Sequence, residues 1–160
     1  MSDYILGGNG NDYLDGGSSS DVLVGGAGSD FLVGNEGTDV LVGGITTDSL
    51  MDAMSPTFTA PGDGVQDTFV FTDGHGNESM YMADKIVDFE QGIDKFAYSD
   101  DGGTTWLATP FDAGQPGGAV LASTSMGGNT SVYKANMTEV LFYVSGTVTF
   151  DDTDVTTTVA

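Results

Sequence analysis

Along the first third of the chain an aliphatic residue returns every nine positions: Ile5, Leu14, Leu23, Leu32, Leu41 and Leu50. Two residues before each stands an aspartate: Asp3, Asp12, Asp21, Asp30, Asp39 and Asp48. Neither an amphipathic helix nor a long alternating strand has this period. Glycine pairs open most units, at Gly7-Gly8, Gly16-Gly17, Gly25-Gly26 and Gly43-Gly44. The units read GGNGNDYLD, GGSSSDVLV, GGAGSDFLV, GNEGTDVLV and GGITTDSLM. About one residue in eight is Asp, so five further hits at a fixed spacing arise by chance roughly once in 30,000.

Each unit is one turn plus one short strand. Glycines permit φ > 0 and let backbone carbonyls crowd a point. The tripeptide around each aliphatic is a strand about 10 Å long. Its central side chain points inward and its neighbours outward. Two units close a coil, so Asp3, Asp21 and Asp39 stack along one edge and Asp12, Asp30 and Asp48 along the other. The expected fold is all-β: a parallel β-roll, a right-handed β-solenoid, over residues 1–51.

Three units depart from the pattern. Ser19, Asn35 and Thr46 stand where glycine is expected, and Ser and Thr disfavour positive φ. Distorted turns are expected at 16–21 and 43–48. The outward residues of the strands at 4–6, 22–24 and 40–42 are Tyr4, Leu6, Val22, Val24, Val40 and Val42, all apolar. Such a face asks for a cover, either the C-terminal half or another protomer.

Residues 52–66 break the register and hold Pro56 and Pro61, which predicts an inserted loop. Gly62 to Phe71 then reads as a last, degenerate repeat, with Asp67 in the aspartate slot and Phe69 in the aliphatic slot. Residues 67–160 alternate β-like runs with Gly, Asn and Asp turns, at Thr104–Leu107, Ala119–Ala122, Ser131–Lys134, Glu139–Val144 and Thr147–Phe150. They predict an antiparallel β region packed against the roll.

Charge sharpens the picture. There are 24 acidic residues against three lysines, for a net charge of -21. Nucleic acid and anionic membrane, both polyanions, are excluded as partners, and no apolar run reaches membrane-spanning length. Adjacent coils lie about 4.8 Å apart. Two bare carboxylates at that distance repel by roughly 1 to 3.5 kcal/mol. A divalent cation between them reverses the sign. With no cysteine to staple the fold, metal is the natural substitute.

The units resemble the RTX nonapeptide, G-G-x-G-x-D-x-U-x, a calcium-binding repeat. The resemblance covers residues 3–51. It implies calcium held by Asp3, Asp12, Asp21, Asp30, Asp39 and Asp48, with loop oxygens from Gly7, Asn9, Gly16, Ser18, Gly25, Ala27, Gly34 and Glu36. Ca²⁺ takes six to eight oxygens, which two aspartates and glycine-loop carbonyls supply. Pairs Asp3/Asp21, Asp12/Asp30, Asp21/Asp39 and Asp30/Asp48 give about four ions, and a fifth is expected near Asp67 or Asp84. The stretch Ala83 to Ser99 (ADKIVDFEQGIDKFAYS) is similar to the segment closing the repeats in serralysin-type proteases, so Asp84 or Asp88 is expected to complete a site at the roll's end.

RTX proteins leave bacteria by type I secretion through an uncleaved C-terminal signal. The acidic, then Thr/Val-rich end DDTDVTTTVA resembles such a signal and implies an extracellular protein whose partners are calcium and the secretion machinery. Two other classes fit: a self-assembling surface-layer, fibre or matrix protein, and a carbohydrate-binding module like those of alginate epimerases. Catalysis has no support. His75, the only histidine, lies in a glycine-flanked loop and reads as solvated. G-x-S-x-G and H-E-x-x-H are absent, and no carboxylate pair stands out as a glycosidase dyad.

Overall fold

The computed structural model describes residues 1–44, 62–72, 83–99, 103, 105–108, 121–126, 128–135, 140–145 and 148–159. Among these the chain is all-β apart from a single 3-10 turn, Asp152–Asp154. Strands β1 (Tyr4–Asn9), β2 (Tyr13–Asp15), β3 (Val22–Ala27), β4 (Phe31–Val33) and β5 (Val40–Val42) follow the nonapeptide period. They are followed by β6 (Thr68–Thr72), β7 (Asp84–Ile86), β8 (Lys95–Ser99), β9 (Leu121–Met126), β10 (Asn129–Lys134) and β11 (Val140–Ser145).

From β1 to β8, odd and even strands alternate between two sheets, as a coil of two units requires. One sheet runs β1-β3-β5-β7-β11-β10-β9 and the other β2-β4-β6-β8. All pairings within the roll are parallel, with Ile5 opposite Leu23, Leu23 opposite Leu41, and Leu41 opposite Ile86. In the second sheet Leu14, Leu32, Phe69 and Phe96 form the matching column. Three-residue strands have little stability alone. They are held by these two inward columns, whose members from Leu14 onward are buried.

The core changes character along the roll. The early coils meet through leucine and the late ones through aromatics. Phe71 stacks on Phe142 at 4.5 Å, and Phe142 makes edge contacts with Phe96 at 5.3 Å and Phe150 at 5.6 Å. Strands β9, β10 and β11 form the antiparallel region, which joins the first sheet where β11 pairs in parallel with β7.

Several expectations are corrected. The roll does not stop at residue 51, because β6, β7 and β8 continue both sheets. Residues 105–107 and 148–150 are not strands, although Leu107 N donates to Tyr98 O at 2.9 Å. Of the strand expected at Ala119–Ala122, residues 119 and 120 lie outside the described residues, and β9 extends it from Leu121 to Met126. Pro56, Pro61, Thr46 and His75 lie outside the described residues. The antiparallel strands extend the edge of the first sheet, so they do not lie over its outward valines as a second layer. Val24 and Val42 are nevertheless buried with Val87, Val22 and Val40 are partly buried beside them, and Tyr4 and Leu6 are exposed.

Candidate metal centre

Each aspartate of the repeat sits just before its strand, so the parallel register stacks the carboxylates into two ladders. Every rung uses the same hydrogen bond. The backbone N–H of one aspartate donates to Oδ1 of the aspartate one coil later. On the first edge Asp3 donates to Asp21 at 2.6 Å, Asp21 to Asp39 at 2.7 Å, and Asp39 to Asp84 at 2.8 Å. On the second edge Asp12 donates to Asp30 at 2.8 Å, Asp30 to Asp67 at 2.9 Å, and Asp67 to Asp94 at 3.0 Å.

The second carboxylate oxygen is left over. Among the described residues, Oδ2 of Asp12, Asp21, Asp30 and Asp39 is buried without a hydrogen-bond partner. A buried carboxylate oxygen with no donor and no cation is costly. Each faces the first glycine of its own unit. A Cβ on Gly7 would lie 2.7 Å from Asp12 Oδ2 and 2.6 Å from Gly25 O. A Cβ on Gly16 would lie 3.0 Å from Asp21 Oδ2 and 2.9 Å from Gly34 O. Glycine is therefore required there, and carboxylate and carbonyl oxygens converge where its side chain would be. An all-oxygen donor set without nitrogen or sulfur suits a hard cation such as Ca²⁺. The residues present fit the metal that the repeat implies.

Other loop oxygens are partly engaged. Ala27 O accepts from Gly10 N and Glu36 O from Ser19 N, both at 2.8 Å, and each keeps a second lone pair. The non-glycine residues at glycine positions keep the loop conformation: Ser19 has φ 91° and Asn35 φ 66°. The turn at 16–21 is thus strained at Ser19 instead of being remodelled. Asn35 is helped by its amide, which donates to Asp15 Oδ1 at 2.6 Å.

Asp48 lies outside the described residues, and the rung expected for it beside Asp30 belongs to Asp67. Thr68 pairs with Phe31 and Phe69 with Leu32, so the strand after Asp67 completes that coil. Asp84 stands beside Asp39. Asp88 has a different role: its two oxygens accept Gly43 N and Gly44 N, both at 2.9 Å, which pins the turn after β5. The sequence reading did not single out Asp94, the last rung. Its signal was present, because Asp94-Lys95-Phe96 repeats the aspartate, spacer, apolar order of Asp84-Lys85-Ile86.

Crowding of acids in a buried ladder shows in their protonation. Burial, followed by the neighbouring carboxylates, pushes Asp39 up to about 6. The same causes push Asp67 up to about 8 and Asp94 to about 7, against the hydrogen bonds that favour the charged forms. Asp30 and Asp84 are raised too, chiefly by burial. A cation at each rung would remove this opposition.

The spacing of the ladder is that of a known repeat family. Residues 2–23 and 15–50 match the family model of the RTX calcium-binding nonapeptide repeat, in four copies. No curated protein matches the chain. The solution structure of the AlgE6R3 subunit from the Azotobacter vinelandii mannuronan C5-epimerase is similar to it, at 21% identity and a TM-score of 0.34 over 94% of this chain and 80% of that one. Residues 2–50 thus match the RTX calcium-binding nonapeptide repeat, and within them residues 4–42 fold as the parallel strands of a β-roll.

Proposed function

We propose that the protein is an extracellular structural module that folds when it binds calcium, after export by type I secretion. The observation that carries this reading is the row of buried, partnerless Oδ2 atoms at Asp12, Asp21, Asp30 and Asp39. Without a cation these atoms oppose the fold, and with one they hold adjacent coils together. Folding and metal binding are then one event. Asp3/Asp21, Asp12/Asp30, Asp21/Asp39 and Asp30/Asp67 account for four ions, and Asp39/Asp84 or Asp67/Asp94 for a fifth.

Export fits the same physics. In a cytoplasm poor in calcium the acidic chain stays open for threading, and it closes outside. The role in this reading is structural and not enzymatic. No helix among the described residues is long and apolar enough to cross a membrane. A second reading, an assembling matrix protein, is favoured by the exposed apolar residues Tyr4 and Leu6 at one end of the valine face.

Circular dichroism during calcium titration tests the proposal. The chain should gain β signal on calcium addition, with four to five ions per chain by isothermal calorimetry. Full β signal in excess chelator would overturn it. Magnesium should substitute poorly, because it demands strict octahedral geometry.

A further inference from the structure

The turn from Gly7 to Asp12 holds the only Asn-Gly pair in the sequence, Asn9-Gly10. Asparagine is chemically labile, and most so before glycine, which has no side chain to hinder attack by its own nitrogen. The reaction is an intramolecular acyl transfer. Gly10 N gives its proton to hydroxide and attacks Cγ of Asn9. A C–N bond forms, the side-chain nitrogen leaves as ammonia, and a succinimide ring closes. Water then opens the ring at either carbonyl. The products at position 9 are aspartate and isoaspartate, and in the second the main chain runs through the former side chain and is longer by a carbon.

In the folded chain the electrophile is available and the nucleophile is not. Asn9 is exposed, so water and base reach its side chain. Gly10 N–H, however, donates to Ala27 O at 2.8 Å, and Asn9 pairs with Ala27 at the end of β1. The carbonyl of the same glycine is packed against the following coil, since a Cβ on Gly28 would collide with Gly10 O. The peptide that must swing toward Cγ is thus clamped on both sides. The two other described bonds of this kind, Asp15-Gly16 and Asp63-Gly64, are guarded in the same way. Gly16 N donates to Val33 O at 2.9 Å, and Gly64 N donates to Glu90 Oε2 at 2.7 Å. An amide held in such a bond reacts only through local opening. Stacking of coils therefore protects these sites.

We propose that Asn9 is a spontaneous deamidation site that calcium-driven folding silences, so that time spent without calcium is written into the roll as isoaspartate at position 9. This rests on the calcium-dependent folding proposed above. The change falls beside a metal position. A Cβ on Gly7 would meet both Asp12 Oδ2 and Gly25 O, so the oxygens of this turn converge two residues ahead of Asn9. A longer main chain between position 9 and Gly10 moves Gly10 N out of step with Ala27 O and takes the position 9 carbonyl out of the loop. A chain kept open too long then closes poorly. Deamidation so limits the useful lifetime of the calcium-free form.

The test ages the full chain at pH 8 in saturating calcium and in excess chelator. Cleavage by a glutamate-specific protease releases the fragment ending at Glu36, and mass spectrometry follows the exchange of an amide for a carboxyl, placed at position 9 by fragmentation. Deamidation there should be at least about tenfold slower in calcium. A synthetic peptide of residues 7–12 should react at the same rate in both solutions. After ageing in chelator the parent should contain isoaspartate, detected by isoaspartyl methylation, and need several-fold more calcium to reach half its β signal. Asn9→Gln aged alongside should titrate like fresh protein. Equal rates in both solutions, in a chain whose dichroism shows calcium-induced folding, would overturn the proposal alone. So would a calcium effect of the same size on the peptide, which would assign the protection to the ion and not to the fold. An aged parent that titrates like a fresh one would overturn the link to the metal. Absence of calcium-induced folding in fresh protein would overturn the reading beneath it.

Discussion

The backbone N–H of Asp21 donates to Oδ1 of Asp39 at 2.7 Å, while Oδ2 of Asp39 is buried without any partner. One half of the carboxylate ties two coils together and the other half is reserved. Asp21 and Asp30 each take part in two rungs, one above and one below. Asp3 is exposed and takes part in one. Asp21→Ala and Asp30→Ala should therefore lose at least one calcium ion each and raise the calcium midpoint of folding several-fold. Asp3→Ala should have the smallest effect of the series. Calorimetric stoichiometry with a dichroism titration checks this ranking, and equal effects for all three would contradict the ladder.

Acid should stabilise the metal-free fold. Asp39, Asp67 and Asp94 sit at about 6, 8 and 7 in the folded chain, above the ordinary aspartate value of 3.8. Below the ordinary value these groups are protonated in both states, and the folded form is not penalised. As pH rises through 6 to 8 they must ionise in place, and that stability is lost. In chelator, β signal should be weak at pH 8 and rise as pH falls toward 5. In saturating calcium the trend should weaken or invert, since the metal needs the charged form. A flat profile in chelator would show that the rungs do not titrate as a buried ladder.

Ser19 holds φ 91° at a glycine position. Ser19→Gly should relieve strain and stabilise the calcium-bound fold by about 1 kcal/mol, after the extra freedom of glycine in the unfolded chain is counted. Asn35→Gly should gain less or lose, because asparagine tolerates the left-handed region and its amide donates to Asp15. Thermal melts of the two variants against the parent test the contrast.

Phe142 touches Phe71, Phe96 and Phe150, and so joins the antiparallel strands to the roll. Phe142→Ala should cost about 3 to 5 kcal/mol. Because the residue links both parts, the variant should melt in one transition at lower temperature. Two resolved transitions in calorimetry would mean the roll and the antiparallel region are independent.

Much of this was legible before any coordinates. The nine-residue spacing from Asp3 to Asp39 fixed the strands, the two sheets and the inward column, because stacking identical coils leaves no other register. Asp67-Thr68-Phe69 was readable for the same reason. The choice between Asp48 and Asp67 beside Asp30 was not, because both begin an Asp-x-apolar triplet. The longer run Thr68–Thr72, rich in β-branched and aromatic residues, makes the strand that pairs on both sides. The rungs Asp84 and Asp94 were half hidden, since the spacers before them break the period. How β9–β11 attach was not legible either, because alternation predicts strands and not the edge they join.

The one-way hydrogen bond of the ladder also gives the folding reaction a polarity. A coil cannot shelter its aspartate N–H until the following coil's carboxylate is in place. The last coils need no successor, because Phe142 and Phe150 pack against them and residues 153–156 seal their edge. They form the natural nucleus, and each earlier coil then settles on a finished template. The roll should close like a zipper drawn from its carboxyl end, with the first coil the last to settle and the first to fray.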